Sequence, residues 1–318
     1  MTALVDIVIV THNTRETTVR AVGSVCNTPG GNCIVVDNAS TDGTAEALAA
    51  LDCNVRIIAS ATNRGYGAAC NLGAKAGAAE FLLILNSDIV AQPEAVQRLL
   101  LHMETHPDDV VVGSCLVDAG TDRPQVGFAI RGFPTVQGQI ALLFGLERLW
   151  PRNPVSRREA MLDFDFSKTQ SVDGQPAGAC LCCRRSDFDA VGGFDECFFF
   201  WFEDVDLVRR LARRGKIAYV HDAVFEHLGG TTFKQWSRPE IVVARYESLL
   251  RYFAKHHSRA QLVALRCAIA LVAAVRLPLL AVRGSESTRA YLRVLEVAFR
   301  RRNRHSDARE TSLSSSTH

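Results

Sequence analysis

Cys33-Ile34-Val35-Val36-Asp37-Asn38-Ala39-Ser40-Thr41-Asp42-Gly43 is the stretch that decides the fold. Apolar, mostly β-branched residues stop abruptly at short polar side chains, which reads as a buried strand and the turn beyond its carboxyl end. The same unit recurs on either side. Val5–Val10 is a strand ending at Thr11-His12-Asn13, Val55–Ala59 leads to Asn63-Arg64-Gly65-Tyr66-Gly67, and Phe81–Leu85 ends at Asn86-Ser87-Asp88. Helical spacing fills the intervals at 15–26, with Thr14 as N-cap, then through Leu51 and over 66–78. Strands alternating with helices predict parallel βαβ units in an open α/β sheet. Ligands gather beyond the carboxyl ends of such strands, so the polar strand ends mark the expected site.

Further along, a helix is expected to about Thr105, a strand at Val110–Gly113, and irregular loops over 118–175. Regularity returns at Ala179–Arg184, followed by a helix over about Val205–Arg214 and a strand Lys216–Val220 leading to Glu226-His227. Residues 240–257 and 258–283 read as helices, and the Ser/Thr-rich end from about Arg304 as a disordered tail.

The 318 residues carry a net charge of +2, but unevenly. Lys255–Arg304 holds eleven Lys/Arg against two acids, leaving an acidic body that is a poor nucleic-acid binder. Ten cysteines include the apolar run Cys180-Leu181-Cys182-Cys183, with no second pair or histidine spacing to complete a zinc site. Buried free thiols in a reducing compartment are expected. No basic n-region or small-residue cleavage site precedes the first strand, so no secretory leader is expected.

Four motifs bear on the chemistry. Asp37 sits where a sheet presents ligands and is expected near a base or ribose, whereas Ser40 and Asp42 read as turn and capping residues. Gly65-Tyr66-Gly67 is a partial glycine fingerprint after the wrong strand for a dinucleotide site; it permits close backbone approach at a helix start. Asn86-Ser87-Asp88 puts a carboxylate where Mg²⁺ or Mn²⁺ could bridge to a diphosphate, a strand-end cap being the bland alternative. Glu203-Asp204-Val205-Asp206 follows the aromatic run Phe198–Phe202 and opens a helix ending in arginines. The helix dipole explains part of that charge pattern. Three carboxylates beside an aromatic wall nevertheless point to a sugar-handling site.

In this order, over residues 5–230, these segments resemble family 2 glycosyltransferases of the GT-A fold. Gly178-Ala179-Cys180-Leu181, Gly193-Phe194-Asp195-Glu196, Glu203–Arg210 and His227-Leu228-Gly229-Gly230 belong to the same match. The resemblance implies that Thr11, Asn13, Asp37, Arg64 and Ser87 surround a nucleotide. It implies that Asp88 and His227 hold Mg²⁺ or Mn²⁺, with Asn86 standing where the family's first aspartate would be. Asp204 would be the base that deprotonates the acceptor, supported by Glu203, Asp206 and Arg210, in an inverting transfer. Gly192-Gly193-Phe194-Asp195-Glu196 with the following aromatic and acidic run is similar to bacterial rhamnosyltransferases of cell-wall and O-antigen assembly. That likeness implies a dTDP- or UDP-sugar donor, with dTDP-rhamnose first, and a polyprenyl-linked glycan acceptor. The alternatives are a transferase of galactose or N-acetylglucosamine, or a catalytically silent nucleotide-sugar-binding assembly protein. A nucleotide-dependent oxidoreductase is disfavoured by the misplaced glycines.

The expected organisation is a catalytic domain over 1–235, a helical membrane-associating extension over 236–303 and a tail over 304–318. On one continuous helix Lys255, Arg259, Arg266, Arg276 and Arg283 would share a face, as on a helix lying in an anionic membrane surface. The expected location is cytoplasmic, peripheral on the inner face of the membrane.

Overall fold

A computed structural model describes residues 4–229, 238–281 and 285–300. The expected boundary at 235/236, the tail 304–318, Arg283 and Gly230 lie outside the described residues. The N-terminal part runs β1 (Val5–Thr11), α1 (Arg15–Val25), β2 (Gly31–Asp37), α2 (Thr44–Ala49), β3 (Val55–Ala59), α3 (Tyr66–Lys75), β4 (Phe81–Asn86), β5 (Ile89–Ala91), α4 (Ala95–Thr105) and β6 (Asp109–Asp118). Short pieces follow: β7 (Ile130–Arg131), α5 (Val136–Leu143), α6 (Leu146–Leu149), α7 (Pro154–Glu159), β8 (Gln170–Ser171) and β9 (Gln175–Pro176). Then come β10 (Cys180–Arg184), α8 (Arg185–Ala190), α9 (Glu203–Leu211), β11 (Lys216–His227), α10 (Arg238–His256), α11 (Arg259–Ala281) and α12 (Ser285–Phe299).

The main sheet has the order β3-β2-β1-β4-β10-β6-β11-β5, with β8 added on β11. Its β3-β2-β1-β4 half is parallel, as the βαβ reading requires. β1 is buried along its whole length, so alternate side chains feed two different cores. Ile7, Ile9, Leu83 and Leu85 pack with α1 and α4 on one face; Val8, Val10, Leu82 and Ile84 pack with α3 and α9 on the other. Seven of the ten cysteines are buried, all ten are free, and Cys197 and Cys267 depart from expectation by being exposed.

β11 is longer than the Lys216–Val220 segment expected from sequence. A register shift between Val220 and Val224 lets it continue to His227 beside β6. Beyond the shift it also pairs antiparallel with β5, setting His227 opposite Ile89. The residue before Ile89 is Asp88, so this long-range pairing brings the two proposed metal ligands together. Thr14 does not cap α1 through its side chain. Its hydroxyl instead joins Thr11, Thr18 and Ser87 at 2.9–3.1 Å.

The C-terminal helices correct the expected basic stripe. The chain breaks between α10 and α11, so Lys255 and the later arginines do not lie on one helix. Lys255 is engaged by Asp206 and Asp195. Arg266 donates to the Arg300 carbonyl, and Arg276 to the Tyr291 hydroxyl and the Leu143 carbonyl. By length and composition Arg259–Pro278 could cross a membrane, with mean hydropathy 1.8. One side of that helix nevertheless packs inward: Leu265, Ile269 and Ala273 join Tyr252 and Phe253 of α10, Val294 of α12 and Val136, Phe198 and Val205 in a third core. Its outward side, with Val263, Leu271 and Val275, is exposed and largely apolar.

Asp206 pins α10 to this assembly. It is fully buried, and its carboxylate accepts from Arg210 Nε at 2.8 Å, Lys255 Nζ at 3.0 Å and His256 Nε2 at 2.7 Å. Burial alone would push this carboxyl up, but the His256 and Lys255 hydrogen bonds and the Arg210 charge outweigh it and hold it at about 2. Removing one partner of a buried charge cluster strands the others. Asp206→Ala is therefore expected to cost about 3–5 kcal/mol in urea unfolding. A loss under 1 kcal/mol would mean that α10 is held by apolar packing alone.

Candidate active site

Beyond the carboxyl ends of β1 and β4 lies a cleft of about 230 Å³, lined among others by Thr11, Ser87, Asp88, Glu203, Asp204 and His227. Six of the site residues expected from resemblance or motif therefore meet at one surface. Asn13, Asp37, Arg64, Asp206 and Arg210 do not line it.

Asp37 is buried and its Oδ1 accepts the Ser40 N–H at 2.8 Å, shaping the loop after β2. Asn13 sits at φ 51°, its N–H donating to Ser40 Oγ and its Oδ1 accepting from Thr41 N, so it ties the first loop to the second. Arg64 is paired at the surface with Glu196 at 3.2 Å. Asp42 accepts from Arg15 N and Thr44 N, the turn-forming role expected for it, although the N-cap of α2 is Gly43. Asp206 and Arg210 stand behind the cleft, acting on it through α10.

Sequence reasoning missed Asn38, Asn63, Tyr66, Gly178 and Arg131 as working parts. Asn38 Nδ2 donates to Asn63 Oδ1 at 2.9 Å while its Oδ1 accepts from Arg64 N, clamping two cleft-edge loops. Both asparagines lie inside quoted motifs, so their type was visible and only the pairing was hidden. Gly65 has φ 85°, and a Cβ there would stand 2.6 Å from the Phe199 carbonyl oxygen. The glycine thus admits the backbone of the aromatic loop at the start of α3.

That loop is strained. Trp201 and Phe202 have φ 65° and 66°, a region costing bulky residues about 1–3 kcal/mol each. Ser248 of α10 donates to the Phe200 carbonyl at 2.7 Å, and Phe198 and Phe202 pack into the third core. Phe199, Phe200 and Trp201 are thereby turned to the cleft wall.

The strained turn delivers the two carboxylates at the start of α9. Asp204 is half-buried; its Oδ2 accepts the Gly178 N–H at 2.9 Å and its Oδ1 accepts the Val205 N–H at 2.8 Å. A Cβ on Gly178 would stand 2.5 Å from the Asp204 Cβ, so only glycine allows this approach. Burial pushes the Asp204 carboxyl up, against the lowering pull of these N–H groups and of the Arg131 charge. Glu203 is more deeply buried. Burial first, and the Asp204 charge second, push it up to about 8. Its Oε2 is buried without a hydrogen-bond partner among the described residues. The two carboxyls are therefore unequal, with Glu203 the more strongly pushed up and Asp204 on the more open side.

Across the cleft, His227 Nε2 lies 3.6 Å from Asp88 Oδ2. His227 Nδ1 is 2.8 Å from Gln125 Oε1, and Phe128 stacks on the ring at 5.0 Å. An amide oxygen on Nδ1 selects the tautomer that leaves Nε2 with its lone pair, turned to Asp88. A carboxylate and an oriented imidazole fit a divalent cation that completes its shell with phosphate oxygens. No group of three or more His, Cys, Asp or Glu able to hold a metal occurs among the described residues.

Comparison with known proteins places the chain in a family and a fold. The sequence model of Glycosyl transferase family 2 matches residues 6–160. An N-acetylglucosaminyl-diphospho-decaprenol L-rhamnosyltransferase of Mycobacterium tuberculosis is 32% identical over 242 residues, covering 71% of this chain and 75% of the relative. A validoxylamine A glucosyltransferase of Streptomyces hygroscopicus is 28% identical over 222 residues, 67% of this chain and 52% of that protein. Among solved structures, TarS 1-349 of S. aureus superposes with a TM-score of 0.51 at 16% identity, covering 93% of this chain and 90% of its own. The mannosyltransferase PcManGT from Pyrobaculum calidifontis, solved with GDP-Man and Mn2+, superposes with a TM-score of 0.53 at 15% identity, covering 94% and 86%. At these identities the structures establish the GT-A fold, while the sequence relatives establish descent: the chain belongs to glycosyl transferase family 2.

Proposed function

We propose that this glycosyltransferase moves rhamnose, with inversion, from dTDP-rhamnose to a glycan carried on a polyprenyl diphosphate. The rhamnosyl and decaprenol-linked acceptor assignments follow the mycobacterial relative's name. The catalytic reading rests on one observation: Asp204 is held by two backbone N–H groups at the wall of the cleft, opposite Asp88 and His227. Asp204 takes the proton of the acceptor hydroxyl as its oxygen attacks the anomeric carbon and the bond to the diphosphate oxygen breaks. The electron pair leaves with the nucleoside diphosphate, and the proton remains on Asp204. A divalent cation held by Asp88 and His227 would neutralise charge on that leaving group. Glu203, protonated at neutral pH, offers a hydrogen bond from its otherwise unpartnered Oε2 to a sugar oxygen. Phe199, Phe200 and Trp201 supply the apolar wall against which a 6-deoxy sugar packs. Thr11, Asn13, Asp37, Arg64 and Ser87 shape the nucleotide side, Asn13 and Asp37 by fixing its loops. The protein works in the cytoplasm at the inner membrane face, where a polyprenyl-linked acceptor would present its head.

Asp204→Asn is expected to lower kcat about 100- to 10,000-fold while leaving donor binding intact by calorimetry. Retained turnover would remove Asp204 as the base. EDTA should stop transfer, Mn²⁺ or Mg²⁺ should restore it, and His227→Ala should raise the cation concentration needed. Undiminished turnover in EDTA would remove the metal from the scheme.

Glu203 adds a pH signature. Between 4.5 and about 8 the folded chain keeps a proton that the unfolded chain has lost, so stability falls as pH rises through that window. Glu203→Gln abolishes this loss. Melting curves of parent and variant should therefore diverge with rising pH, the variant gaining. Parallel curves would show that Glu203 is already ionised in the fold.

A further inference from the structure

A second cavity, of about 540 Å³, lies away from the catalytic cleft, between the α5–α6 turn and helices α10, α11 and α12. Three arginines from three elements line it: Arg148 of α6, Arg245 of α10 and Arg276 of α11. None of the three has an ion-pair partner among the described residues, and Glu147 is the acid among the described lining residues. Arg276 is already oriented, donating to the Tyr291 hydroxyl at 2.6 Å and the Leu143 carbonyl at 3.4 Å. Three guanidinium groups around one concavity repel one another unless an anion joins them, and their forks match phosphate oxygens.

The surroundings are apolar and face outward. On the α5–α6 side Phe144, Leu149 and Trp150 are 48%, 82% and 55% exposed. On α11 Leu271 and Val275, 55% and 59% exposed, lead up to Arg276. A soluble phosphate would account for the arginines but leave five large apolar side chains in water. A lipid accounts for both, with its phosphate among the guanidinium groups and its chains against the apolar rim.

We propose that this cavity binds the phosphate-bearing head of a membrane lipid and thereby seats the protein on the bilayer. The site is separate from the catalytic scheme, so its failure would leave that scheme standing. Deleting the C-terminal helices is the wrong test, because α10 holds Asp206 and the aromatic loop. Arg148 and Arg245 make no hydrogen bond or ion pair through their side chains among the described residues, so Arg148→Gln/Arg245→Gln should fold as the parent does.

The experiment is co-sedimentation of the full chain with phosphatidylcholine vesicles, with and without phosphatidic acid. Melting temperature serves as the folding check, and Arg20→Gln/Arg123→Gln removes the same charge elsewhere on the exposed surface. The parent and this control should pellet with the phosphatidic acid vesicles and not with phosphatidylcholine alone. Arg148→Gln/Arg245→Gln should bind about 30-fold more weakly, at about 1 kcal/mol per arginine near an anionic surface. Leu149→Gln/Trp150→Gln should also lose capture with its arginines intact. Equal capture of parent and arginine variant would overturn the proposal, as would an equal loss in the control. Calorimetric binding of inorganic pyrophosphate that needs Arg148 and Arg245, without vesicle capture of the parent, would assign the cavity to soluble phosphate and overturn the lipid assignment.

Discussion

Asp206 is sealed from solvent and shares its carboxylate among Arg210 of its own helix and Lys255 and His256 of α10. Such a cluster is costly to bury and costlier to break, so it fixes where α10 lies against α9. From that one placement several others follow. Ser248, on α10, reaches the Phe200 carbonyl; Tyr252 accepts from Arg209; and the third core closes over Phe198 and Val205. The strained Trp201–Phe202 turn is tolerated because it is held from behind in this way. A helix that sequence composition would assign to an appendage is thus a structural wall of the active site.

The cleft itself divides labour between residues that face a ligand and residues that hold the loops that do. Thr11, Ser87, Asp88, Asp204 and His227 face it; Asn13, Asp37, Asn38 and Asn63 brace its edges. The adjacent acids are likewise unequal. Asp204 has an N–H on each oxygen, while Glu203 keeps an oxygen without a partner and is pushed up to about 8. Two neighbouring carboxyls with different environments can serve as proton acceptor and hydrogen-bond donor in one cleft.

Much of this was legible in the sequence where the signal is local. The short, largely β-branched apolar runs located β1, β2, β3 and β4, and the polar residues after them marked the cleft, because strand ends and ligand ends coincide in an open α/β sheet. Glu203–Asp206 stood out because acids at a helix start exceed what the dipole needs. The rest was hidden for physical reasons. β11 crosses a register shift that no alternation predicts, and the Lys255–Asp206 contact spans 49 residues of chain. Arg131 lies in a two-residue strand inside 118–175, too short for any periodicity. The basic stripe failed because helical phase was carried across the break between α10 and α11. Lys255, Arg266 and Arg276 have partners within the fold, which charge counting cannot see.

The pairing of β5 with the end of β11 has a consequence for how the molecule comes into being. Asp88 belongs to a segment made early in synthesis, whereas His227 emerges only after the whole sheet has been translated. The strand joining them is three residues long and sits at the sheet margin, a contact of high sequence separation that forms late in folding. A nascent chain can close its β1–β4 half and still lack one side of its cleft. The catalytic apparatus is then assembled last, once β11 has docked and α10 has locked in behind α9. Partly made chains would hold the nucleotide-side loops yet lack Glu203, Asp204 and His227, and so would be chemically silent.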